Sequence, residues 1–117
     1  MTEVADQSAA ARARGCRVAV NGPDVSDNPA MYLAAGADAV VLGEGEMALL
    51  DLVERWERGD GELRSVPGLI LGGHGRLEHT PVRRPLQDLD QLPHPAWDLL
   101  DVEAYREAWT GAHGEFS

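Results

Sequence analysis

Cysteine is almost missing from this chain: Cys16 is the only one in 117 residues. That excludes an internal disulfide, and it excludes a cysteine-built zinc or iron–sulfur centre within these residues. Cys16 precedes an expected strand at residues 17–20 and reads as a buried, inert thiol. Lysine is absent, and the ten basic residues are scattered arginines set against twenty acidic residues, for a net charge of -10. Residues 1–59 and 60–117 each hold ten acidic and five basic side chains, so the acidity is not a tail. Phosphate backbones and anionic membranes need clustered cations, so nucleic acid and anionic membrane surfaces are excluded as partners. Aromatic residues make up 5 % of the chain, which leaves Val, Leu and Ala to build the core. No apolar run approaches the roughly 18 residues of a membrane span. The first residues lack the basic and apolar regions of a secretion signal, so the expected location is cytoplasmic.

What is present suits one small α/β domain. Alanines at 9, 10, 11 and 13 favour a helix over residues 3–14, closed by Gly15. Residues 18–20 form a brief apolar strand, ended by the turn chemistry of Asn21, Gly22, Pro23 and Asp24. Pro29 opens a short helix that Gly36 stops. Residues 39–42 are a second strand, again a continuous apolar run of the kind covered on both faces. Tight helix–strand alternation implies parallel pairing through right-handed crossovers. Residues 46–58 are the clearest helix, with Leu49, Val53 and Trp56 on one stripe and Leu50 and Leu52 beside it. Asp51 with Arg55, and Glu54 with Arg58, stand four apart as helix ion pairs.

Beyond Gly59, Asp60 and Gly61 the pattern changes. Residues 69–71 and 76–80 flank two glycines, His74 and Gly75, which reads as a hairpin. Pro81, Pro85, Pro93 and Pro95 mark an extended linker. Asp98 or Asp101 caps a short helix through Tyr105 to Trp109, and residues 110–117 show no periodicity. Trp97, Tyr105 and Trp109 read as an aromatic cluster that docks on a neighbouring domain. The fold class is therefore α/β: a partial Rossmann-like, flavodoxin-like parallel sheet with flanking helices, then a small β-hairpin and an extended linker. Two strands are too few for a doubly wound sheet, so a missing part or a partner is expected.

Two turns follow the strands, and in an open parallel sheet ligands sit at the carboxyl ends of strands. One is Gly43, Glu44, Gly45 and Glu46, where glycine allows close backbone approach. It reads either as such a ligand wall or as a tight strand-to-helix joint whose acids favour the helix dipole. A phosphate cradle is disfavoured, because Glu44 and Glu46 occupy the anion-attracting end. The other turn offers Asn21 and Ser26 as hydrogen-bond donors, or is a simple turn. His74, His79, His94 and His113 have no metal-ligand spacing, and His74 reads as solvated. No nucleophile–base arrangement is legible.

Residues 18–26, 36–46, 66–69 and 89–100, with Tyr105, in that order and spacing, resemble part of the cobalamin-binding-domain radical S-adenosylmethionine enzymes. The resemblance implies that residues 1–60 are the C-terminal part of a Rossmann-like cobalamin domain. It makes 61–82 its hairpin extension and 83–117 a linker toward a radical domain that this sequence lacks. It further implies that Asn21, Gly22, Pro23, Ser26, Gly43, Glu44, Gly45 and Glu46 line the nucleotide side of cobalamin. In that family an upstream Asp-x-His-x-x-Gly carries the lower cobalt ligand, and a downstream Cys-x-x-x-Cys-x-x-Cys holds the iron–sulfur cluster that splits S-adenosylmethionine. Neither motif occurs here, so catalysis by this chain alone is not expected. Asn21 stands where the family has the first of two glycines. Expected partners are a radical S-adenosylmethionine domain or chain, or a second copy. The alternative reading is a non-catalytic interaction module, or a ligand-free remnant, that associates through an exposed sheet edge.

Overall fold

The computed structural model describes residues 3–116. They form two compact units, the first ending at Leu86 and the second beginning at Gln87. In the first unit the chain runs α1 (Glu3–Ala13), β1 (Ala19–Asn21), α2 (Pro23–Asp27), α3 (Pro29–Ala34), β2 (Ala39–Val41), α4 (Glu46–Glu57), β3 (Leu69–Gly73) and β4 (Arg76–His79). β1 and β2 pair in parallel, Ala19 opposite Ala39 and Asn21 opposite Val41. The hairpin is not a separate appendage. β3 pairs antiparallel with β2, Val41 opposite Leu69, and β4 pairs with β3. The parallel sheet read from the sequence is thus a mixed open sheet of order β1-β2-β3-β4, of partial Rossmann-like form with flanking helices.

The continuous apolar strands are covered on both faces. Ala39, Val41, Leu69 and Leu71 point to one side and pack with Ala48, Leu52 and Val66. Val40 and Ile70 point to the other and pack with Val20, Val25, Tyr32 and Ala37. This is the two-residue alternation of strands, with each face buried under helix. The hairpin turn has His74 at φ 47° and Gly75 at φ 76°, both left-handed, as the two-residue turn matching strand twist requires.

Several local expectations change. Pro23 does not merely turn the chain: it occupies the first position of a five-residue helix, α2. Its Asp24 accepts a hydrogen bond from the hydroxyl of buried Tyr32 on α3. Cys16 is exposed, because the strand begins only at Ala19 and the thiol lies in the loop after α1. Asp51 does not pair with Arg55. Arg55 turns to Asp60 (2.9 Å) and the Glu62 carbonyl (3.1 Å), closing the helix end, while Asp51 pairs with Arg83. Glu54 and Arg58 do pair, at 3.2 Å.

The largest change is on α4. Its core face is Ala48 and Leu52, both 0 % exposed, with Trp56 packed beside them. Leu49 and Val53, read as the buried stripe, are 47 % and 41 % exposed, and Leu50 is exposed with them. Successive helix residues are about 100° apart, so the burial face is rotated by one position. The small Ala48 lets the backbone sit close on the sheet.

In the second unit, 3₁₀ turns at Leu89–Gln91 and Trp97–Leu99 precede α5 (Val102–His113). Asp101 is the N-cap, accepting from the Ala104 amide at 3.0 Å. The helix continues past Trp109 to Gly114, whose left-handed φ of 86° ends it, so residues 110–113 are helical rather than irregular. Trp97, Tyr105 and Trp109 are exposed, and Trp109 packs its ring on His113 at 4.3 Å. Among the described residues no helix is long and apolar enough to cross a membrane.

Candidate functional site

Parallel pairing sets the ends of β1 and β2 side by side, so the two candidate turns meet. Asn21 is the link between them. Its side-chain amide donates to the Val41 carbonyl at 2.8 Å and to the Gly43 carbonyl at 3.3 Å. An edge-strand side chain therefore takes up the last β2 carbonyl and clamps the following turn. Ser26 also acts locally, donating to the Gly22 carbonyl at 3.1 Å within α2. Both donors expected to face a ligand are engaged within the protein: Asn21 joins the two turns and Ser26 closes its own.

Two of the candidate glycines are required by conformation. Gly22 has φ 137° and Gly43 has φ 64°, regions that a side chain disfavours. A Cβ at either would meet nothing within 4 Å, so both present bare backbone to open space. Gly45 differs: a Cβ there would meet Val41 at 3.4 Å and the Asn21 amide at 3.6 Å.

The joint at residues 43–46 separates two crevices. One, of about 280 Å³, is lined by Ala19, Val20, Asn21, Val41, Gly45, Glu46 and Leu49. It lies along the outer edge of β1, which no strand covers among the described residues. The other, of about 390 Å³, is bordered by Gly43, Glu44, Gly68, Thr80, Arg83 and Arg84. Here Glu44 accepts a hydrogen bond from the Leu86 amide at 2.9 Å, which ties the chain leaving the hairpin to the joint. Arg83 secures the same segment through the Pro67 carbonyl (3.1 Å) and Asp51. Glu44 is thus an anchor, and Glu46 is an exposed acid in the first turn of α4. The anchoring by Arg83 has no local sequence signal, since Asp51 lies 32 residues away.

No group of His, Cys, Asp and Glu suited to a metal ion occurs among the described residues. His74 and His79 are exposed on the hairpin, and His94 is exposed in the second unit.

Comparison with known proteins adds a chemical context. Over 91 residues the chain is 34 % identical to an uncharacterized methyltransferase of Pyrococcus horikoshii, a match covering 76 % of this chain and 20 % of that protein. An uncharacterized methyltransferase of Synechocystis sp. is 37 % identical over 95 residues, 81 % of this chain and 15 % of that protein. The anaerobic magnesium-protoporphyrin IX monomethyl ester cyclase of Rubrivivax gelatinosus is 35 % identical over 71 residues, 58 % of this chain and 13 % of the cyclase. The chain therefore spans at most a fifth of the length of these relatives. No family model matches the sequence, and no solved structure matches it.

Proposed function

We propose that this chain is a non-catalytic module of a methyltransferase-type assembly, and that it accepts further β-structure along the free edge of β1. The carrying observation is that this edge and the exposed stripe of α4 lie together: Leu49 lines the same crevice as Ala19 and Val20. A helix that buries Ala48 and Leu52 yet exposes Leu49, Leu50 and Val53 is apolar on two faces. Such a helix is made to be covered on both. A strand added to β1 would satisfy its unpaired backbone groups and carry side chains under that second face. The two relatives named as methyltransferases, both far longer than this chain, support the methyltransferase context.

In the finer reading, carried by the resemblance to cobalamin-binding radical S-adenosylmethionine enzymes, the completed module holds cobalamin. Asn21, Gly22, Pro23, Ser26 and the joint from Gly43 through Glu44 and Gly45 to Glu46 would line its nucleotide side. The open backbone at Gly22 and Gly43 supports this. Bound cobalamin would supply a cobalt centre for methyl transfer. The residues here contribute shape: Asn21 and Glu44 hold the two turns in place. The division at 60 and 82, with a linker toward a radical domain, belongs to the same reading.

Two experiments test it. Sedimentation should show mass rising with concentration, since β1 offers its edge to a second copy when nothing else fills it. The double change Leu49→Glu and Val53→Glu should return it to monomer. A chain that stays monomeric at every concentration would refute the edge reading. Separately, hydroxocobalamin at about 100 μM should change its visible spectrum on mixing with the chain. An unchanged spectrum would count against cobalamin binding by this piece alone and leave the edge reading standing.

A further inference from the structure

A third groove lies away from the β1 edge, where the β3–β4 hairpin passes α1 and α3. Its volume is about 620 Å³, within the size range of small-molecule sites. Its floor is made of small residues from α3 and the hairpin, Ala30, Ala34, Gly72 and Gly73 among them. Gly72 lies against α3, since a Cβ there would touch Leu33 at 3.7 Å. Leu33 and Leu77 are the apolar walls, and Arg12, Asp38, His74 and Arg76 are the titratable or charged groups facing the space.

The charge balance at this groove is opposite to that of the chain. Asp38, whose side chain is 8 % exposed, is occupied by Arg12, Arg17 and the Val18 amide. Of these two arginines only Arg12 lines the groove, and Asp38 balances it. Arg76, also on the lining, leaves one positive charge in excess, because it pairs with no carboxylate among the described residues. In a chain of net charge -10, such a spot concentrates the local attraction for anions. Arg forks suit carboxylate and phosphate oxygens.

We infer that this groove binds a small organic anion, its acidic group held at Arg12, His74 and Arg76 and its apolar body laid against Leu33 and Leu77. The ligand class is an acid or phosphate ester on a compact apolar body. Free inorganic anions lack the body, and neutral aromatics lack the acid. The inference is independent of the proposed function, because the groove shares no residue with the β1 crevice.

Phenyl phosphate is the probe, with inorganic phosphate and benzyl alcohol as controls, followed by amide chemical shifts of the whole chain. Saturable shifts are expected below about 10 mM, confined to the Arg12 end of α1, α3 and the hairpin, with phenyl phosphate the tightest of the three. Arg76→Gln should weaken it about tenfold. Arg76 is exposed on an edge strand, so this variant folds, and its unliganded spectrum verifies that. No saturable shift, equal binding of inorganic phosphate, or unchanged affinity in Arg76→Gln would each overturn the inference.

Discussion

Leu52→Ala is expected to cost about 3 kcal/mol of stability, within the range for removing a fully buried leucine. Leu52 is 0 % exposed and packs among Ala39, Val41, Ala48, Val66, Leu69 and Leu71, the cluster joining α4 to β2 and β3. Its loss opens a cavity that the pleated backbone of β2 and β3 relaxes around only in part. A small domain has only several kcal/mol of stability, so a large share is lost. Leu49→Ala, three positions earlier on the same helix, should stay within about 0.5 kcal/mol in dilute solution. Urea denaturation followed by circular dichroism measures both, at concentrations low enough to exclude association. Equal losses would mean that the Leu49 face is buried as deeply as the Leu52 face.

Asp38→Ala should be the second large effect, roughly 2–4 kcal/mol. Asp38 stands just before β2 and accepts from the Val18 amide at 2.8 Å and from Arg17 at 3.2 Å, with Arg12 on the same oxygen as Arg17. It therefore fastens the end of α1 and the start of β1 to the start of β2. The amide bond to a charged acceptor accounts for most of the loss, about 1.5–3 kcal/mol. Arg12 and Arg17 are more than half solvated or close to it, so each ion pair adds only about 0.2–1 kcal/mol. Asp38→Asn keeps an acceptor for Val18 and should lose clearly less. In high salt the arginine share fades while the Val18 share persists, which denaturation at two ionic strengths would separate. An Asp38→Ala variant as stable as the parent would show that the carboxylate does not hold these elements together.

The α4 result explains where reading from the sequence reached its limit. Met47, Ala48, Leu49, Leu50, Leu52 and Val53 are apolar around more than half of the helix. Periodicity identifies such a segment as a helix, but it cannot rank two apolar faces. The larger side chains suggest the Leu49 face, whereas the sheet takes the face where Ala48 allows the closest approach. Asn21 shows a similar limit at the candidate site. Its type marks a turn and a donor, yet whether the amide faces a ligand or the neighbouring strand depends on β2 lying alongside. The exposure of Cys16 turned on a strand that begins at Ala19, one residue later than its apolar run suggests.

What the amino-acid order determined was local. The apolar runs at residues 18–20 and 39–42, the glycines with left-handed backbone at 15, 43 and 75, and the prolines opening short helices set the elements and most of their ends. Backbone sterics and two-residue alternation act over a few neighbours, so they are legible in the chain itself. Tertiary structure alone decided that the hairpin joins the sheet antiparallel beside β2, which makes four strands of an expected two. It also decided that Arg83 reaches Asp51, that Glu44 holds the Leu86 amide, and that β1 keeps an open edge beside exposed Leu49. These depend on which surfaces meet across tens of residues, and burial of the whole, rather than any local preference, selects them.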